Sequence, residues 1–142
     1  MQAIELIARA FIMREDKLLL CHKVGAPWYF LPGGHVEFSE NTKAALKREL
    51  NEELGVGALV GDYIGIAENI FPQKGKQRHE VNLIFDVTLE GANAASQEDH
   101  IGFIWIDVKK LKKEQVYPVI LKNALSQWIE DRKPFWVSNI ET

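Results

Sequence analysis

Three glutamates, Glu49, Glu52 and Glu53, stand at positions i, i+3 and i+4 of a segment that reads as a helix, so they share one face. Three carboxylates this close repel one another, at ~0.5–1 kcal/mol per close pair in water and more in a cleft of lower dielectric. They also occupy the last turns of the helix, where the macrodipole disfavours negative charge. Helix stability alone would not select this placement. A hard divalent cation reverses the balance, because all-oxygen ligation suits Mg²⁺ or Mn²⁺. The bland alternative is a solvated acidic face softened by Lys43, Lys47 and Arg48, with Arg48 and Glu52 forming an i,i+4 pair. That alternative does not explain the Pro32-Gly33-Gly34 turn upstream, nor the offsets of Glu40 and Gly55.

Gly34 is followed by five residues and then Glu40. Seven residues later come Arg48-Glu49-Leu50, Asn51 and Glu52-Glu53-Leu54-Gly55-Val56. This stretch resembles the Nudix box, G-x5-E-x7-R-E-U-x-E-E-x-G-U with U aliphatic, at every fixed letter and both aliphatic positions. With each letter near one in fifteen, a chance match is on the order of 10⁻⁸ per start. The resemblance implies an α/β/α sandwich with a mixed β-sheet between helices, in which the box forms a metal-binding loop–helix–loop. It implies that Glu52 and Glu53 ligate Mg²⁺, with Mn²⁺ as a substitute, and that Glu49 ligates metal or acts as base. Arg48 would orient a neighbouring glutamate by a charge-assisted hydrogen bond. Glu40 and Gly55 would support the loop–helix geometry, the Gly33 carbonyl would supply another oxygen ligand, and Gly34 would allow the tight loop. A carboxylate from a later loop is also implied; Glu98 is chosen over Asp99 and Glu80. The implied reaction is hydrolysis of a phosphoanhydride bond, with water acidified by the cation and a glutamate accepting its proton.

The elements that must position these residues are legible in outline. Residues 3–14 and 17–23 read as two strands of a hairpin, joined by a polar turn at 14–17. A short apolar segment at 29–31 stops at Pro32, and residues 35–38 alternate like a short strand. Residues 42–54 read as a helix, with Asn41 as N-cap and Gly55 at the C′ position. Leu46, Leu50 and Leu54 make its core-facing stripe. Residues 58–68 and 81–87 follow as strands, with a basic loop at 71–78 between them and a polar loop at 90–99 after them. A strand at 101–106 and a helical turn at 108–112 lead to a second helix at 117–131, with Pro118 in its first turn. Its apolar face is read from Val119, Ile120, Ala124, Leu125, Trp128 and Ile129. The whole chain, 1–142, is expected to be a single domain.

Bulk properties narrow the partners. A hydrophobic fraction of 46% supports an ordinary core, and a net charge of −3 disfavours duplex nucleic acid. An acidic protein that handles phosphates needs bound cations or local basic groups. The single cysteine, Cys21, sits in the apolar run Leu18-Leu19-Leu20 and reads as a buried strand residue; it rules out a disulfide framework. This also ranks low the related isomerase chemistry of prenyl diphosphates, which uses a cysteine. No run approaches the ~20 apolar residues of a membrane span. The N-terminus shows no basic region followed by an apolar stretch, so the default expectation is a cytoplasmic protein.

The expected partner is a small nucleotide-like diphosphate, with a nucleoside triphosphate, oxidised or not, preferred over ADP-ribose or a nucleotide sugar. A non-catalytic Nudix-fold module that binds nucleotide is the competing class; it commonly loses box glutamates, and none is lost here. Candidate substrate contacts are Arg78, Tyr29 and Phe71. Lys74, Lys76, Trp28 and His79 are further possibilities, and Arg14, Lys17 and Lys23 are undecided. Monomer and dimer stay open.

Overall fold

The computed structural model describes residues 2–91 and 99–141. Strand β1 (Ile4–Phe11) runs parallel to β6 (Lys76–Leu89) and antiparallel to the short β4 (Gly33–His35), while β5 (Ala58–Gln73) pairs antiparallel with β6 and parallel with β8 (Phe135–Ser138). The resulting five-stranded mixed sheet has the order β4-β1-β6-β5-β8. A second sheet of three strands joins β2 (Met13–Arg14), β3 (Lys17–Lys23) and β7 (Ile101–Asp107). The five-stranded sheet is the expected mixed sheet, and the smaller one is wholly antiparallel.

The expected hairpin of residues 3–14 with 17–23 is corrected. Only Met13 and Arg14 pair with β3 along its edge. Upstream of Ile12 the chain leaves that partner and enters the larger sheet, where pairing with β6 over eight residues buries far more backbone. The basic loop at 71–78 is corrected as well. Strands β5 and β6 continue through it, and Lys74 and Gly75 alone make the turn, both at positive φ as a tight hairpin requires. The segment expected at 35–38 pairs instead at 33–35, and residues 29–31 make only isolated bridges, Cys21 with Phe30 and Tyr29 with Val116.

Helix α1 (Thr42–Leu54) has the expected bounds. The Asn41 side chain accepts from the Ala44 N–H at 2.8 Å, and Gly55 closes the helix in the left-handed region. Helix α2 (Val119–Asp131) starts after Pro118, which sits at the N-cap rather than in the first turn. Its buried stripe is Leu121, Ala124, Leu125 and Trp128, whereas Val119 is exposed. The helices cover opposite faces. Leu46, Leu50 and Leu54 of α1 pack with Ala8, Ala10, Phe85 and Val87; Leu121, Leu125 and Trp128 of α2 pack with Phe11, Leu18, Ile64 and Ile84. Alternate residues of β1 and β6 thus feed two separate cores, the α/β/α layering. Among the described residues no helix is long and apolar enough to cross a membrane.

Candidate active site

Arg48 organises the acidic end of the site. Its guanidinium grips Glu40 through Nε at 2.8 Å and Nη2 at 3.0 Å, donates to Glu49 at 3.0 Å and to the His35 carbonyl at 3.1 Å, and reaches Glu52 at 3.4 Å. One planar fork thus ties the start of the loop, its middle and the helix together. The Glu40 carboxyl is held at about 2, first by Arg48 and then by the Glu37 N–H it accepts from. Glu49 shifts the other way: burial pushes its carboxyl up, against the pull of Arg48.

The three helix glutamates differ in depth. The Glu52 side chain is 53% exposed and that of Glu49 18%, whereas Glu53 is 8% exposed as a residue and its Oε2 atom is fully enclosed. Glu53 acts electrostatically on Cys21, and so does Arg9, so both stand close to β3. Gly34 makes the arrangement possible: a Cβ there would overlap the Glu49 carboxyl. Gly33 pairs with Arg9 at φ 141°, where a Cβ would strike the Ala8 carbonyl oxygen.

The donor set is hard oxygen, and a fully enclosed carboxylate oxygen beside a half-buried second acid matches a small divalent cation. Among the described residues no three acidic, histidine or cysteine side chains already converge at ligating distance. Of the later carboxylates, Glu98 lies outside the described residues, Asp99 is exposed in a turn, and Glu80 is nearly buried on β6. Cys21 is fully buried, its thiol donates to the Phe30 carbonyl at 3.3 Å, and burial pushes its pKa up, so it is no nucleophile.

The proposed substrate contacts fall in different places. Arg78 is committed to Glu5, donating from Nε at 2.7 Å and also from Nη2. Phe71 lies opposite Arg78 in the β5–β6 ladder, half-buried. Tyr29 is pinned through its backbone to Gln115 and Tyr117, and its ring packs edge-on against His22. Trp28 packs edge-on against Tyr117. Lys74 occupies the turn, Lys76 begins β6, and His79 lies on β6. Lys17 and Lys23 are exposed ends of β3. Arg14 supports the Leu89 and Gly91 carbonyls.

The structure adds two groups to those expected from the sequence. Glu5 bridges Arg78 to His35, accepting from the His35 ring at 2.7 Å. Arg9 joins Asn82 at 3.2 Å to the Leu31 carbonyl at 3.1 Å, beside the Gly33 turn. Polar residues alternating inside apolar strands, such as Glu5 and Arg9 in β1, were the available signal. Arg78, and secondarily His35, hold the Glu5 carboxyl at about 2 rather than the free value of 4.5. A lowered folded value means stabilisation that is present above 4.5 and disappears as pH falls through about 2. Urea melts between pH 5 and 2 should therefore show the wild type losing stability faster than Glu5→Gln; parallel slopes would refute the link.

Against known proteins, the chain matches the family model described as NUDIX domain over residues 5–125. It is 27% identical over 105 residues to an ADP-ribose pyrophosphatase of Methanocaldococcus jannaschii, covering 72% of this chain and 61% of that protein. It is 44% identical over 69 residues to a CTP pyrophosphohydrolase of Escherichia coli, covering 45% of this chain and 50% of that one. The chain thus spans less than two thirds of the length of either. Its fold overlays the MutT protein of Bacillus halodurans with a TM-score of 0.78 at 20% identity, covering 93% of this chain and 86% of the other.

Proposed function

From the premise that this chain belongs to the NUDIX domain family, we propose that it is a Mg²⁺-dependent hydrolase of a phosphoanhydride bond in a nucleoside diphosphate linked to another moiety. A nucleoside triphosphate is the preferred substrate, supported by the resemblance to the CTP pyrophosphohydrolase; ADP-ribose is the alternative, from the resemblance to the M. jannaschii protein. The observation that carries the reading is the buried Glu53 carboxylate on the same helix as the Arg48-bound Glu49 and Glu52.

Glu53, Glu52 and Glu49 would hold the cation, with the Gly33 carbonyl as a further oxygen. When bound, the cation supplies charge neutralisation for the diphosphate and acidifies nearby water. The chain's own residues do the rest. Arg48 fixes the loop against the helix through Glu40 and the His35 carbonyl, so the acids keep a set orientation. Glu49, whose burial favours its protonated form, is suited to accept a proton from the attacking water. Gly34 keeps the space beside it open.

Turnover of a nucleotide panel, with products identified by mass, tests the reading. Nucleoside triphosphates should yield a monophosphate with Mg²⁺ or Mn²⁺, and EDTA should abolish the activity. Unchanged turnover in EDTA, or no cleavage of any phosphoanhydride, would sink it.

A further inference from the structure

Beyond the acidic helix, the large sheet carries a polar strip on its α2 side, continuing along β6 from Ile84. Glu80, Asn82 and Asn69 are 9%, 0% and 9% exposed, and with Glu53 they are the buried polar residues among those described. Asn82 and Glu80 alternate along β6, Asn69 lies directly opposite Glu80 on β5, and Asn82 is level with Ala67, so the three share one face.

The hydrogen bonds run in one direction. Arg9 Nε donates to the Asn82 oxygen at 3.2 Å, and Asn82 Nδ2 donates to Glu80 at 3.2 Å. From the other side, Asn139 donates to the Asn69 oxygen at 2.7 Å, and Asn69 Nδ2 reaches Glu80 at 3.4 Å. Every amide oxygen in the strip is already used by a donor. Both amide nitrogens donate to Glu80 Oε1, and Asn82 Nδ2 also reaches the Ala67 carbonyl at 3.4 Å; among the described residues no hydrogen bond ends on Oε2, and that atom is not sealed from solvent. The two long bonds compensate poorly for taking a carboxylate out of water. The strip therefore offers one under-used anionic acceptor and calls for a ligand with N–H donors.

Its position suits a nucleotide. Glu80 lies opposite Glu5, four residues along β1 from Arg9, which is about 13 Å. Arg9 pairs with Gly33 and holds the Leu31 carbonyl, so the strip leads to the turn that faces Glu49. Phe71 and Arg78 lie on the same sheet face next to Glu80, a ring and a cation flanking the acceptor.

Resting on the hydrolase reading for the location of the phosphates, we propose that Glu80 is a specificity-determining residue that accepts from the exocyclic amino group of the substrate's base. The enzyme then selects cytosine over uracil and guanine over hypoxanthine. Uracil turns a carbonyl oxygen toward the carboxylate in place of the amino group, and hypoxanthine leaves the acceptor unfilled.

Calorimetry with CMP, UMP, GMP and IMP in Mg²⁺ buffer tests this without any turnover. Within a bound pair the amino-bearing member should bind roughly 10-fold to 100-fold tighter, the range for a hydrogen bond to a charged group. Glu80→Gln, which keeps the shape and adds a donor, should remove that preference and, for hydrolysed triphosphates, shift KM rather than kcat. Equal binding within both pairs, or no binding by any of the four, overturns the proposal even if the variant fails to fold. Tight, selective binding with no cleavage of triphosphates would instead leave the base contact standing and remove the hydrolase reading.

Discussion

Glu53→Gln is expected to leave the fold standing and to lower kcat/KM by about 10²–10⁴-fold, the range for removing a positioned acid–base or charge-stabilising group. Glutamine has the shape of glutamate without its charge, so the packing of this buried side chain is retained. A buried carboxylate is held against its own desolvation, and neutralising it does not cost the helix its stripe of Ala45, Leu46, Leu50 and Leu54. The chain should therefore still unfold as one cooperative unit, while cation uptake measured by calorimetry weakens together with turnover. Glu52, with a half-exposed side chain, is the internal comparison: its glutamine variant should lose less. Near-wild-type turnover by Glu53→Gln in Mg²⁺ would remove this helix from the chemistry.

The acidic helix was legible because everything that defines it is local. Asn41 and Gly55 cap it within one turn of its ends, and Gly34 to Val56 is one continuous stretch, so spacing alone places Arg48 beside Glu52. The depth of Glu53 against the exposure of Glu52 was not legible, since it depends on which elements pack over that side of the helix. The same holds for the polar strip. Arg9 and Asn82 are 73 residues apart, and Asn69 and Asn139 are 70 apart; only the parallel pairing of β1 with β6, and of β5 with β8, brings them together. Strand β8 escaped notice because it is four residues long, carries an exposed Trp136, and finds its partner some seventy residues back. Lys74-Gly75 lacks the Asn-Gly or Asp-Gly signal of a two-residue hairpin, so the sequence points to a loop where β5 and β6 in fact continue.

Gly33→Ala and Gly34→Ala should separate stability from activity at adjacent positions. At Gly33 the φ of 141° belongs to glycine alone, and the added methyl would meet the backbone oxygen of Ala8, which cannot swing aside while β1 pairs with β4 on one side and β6 on the other. The loss should be on the order of 3 kcal/mol, a drop of roughly 10 °C in melting temperature for a chain of this size. At Gly34 the backbone is ordinary and the nearest atoms the added methyl meets are the end of the Glu49 side chain, which can rotate. That variant should melt within a few degrees of wild type yet lose hydrolysis by about 10-fold or more, because the rotation takes the Glu49 carboxyl off Arg48 and out of the site. Scanning calorimetry with a turnover assay on both variants checks the pair. A stable Gly33→Ala, or a fully active Gly34→Ala, would mean that the turn does not hold Glu49 in the way its geometry implies.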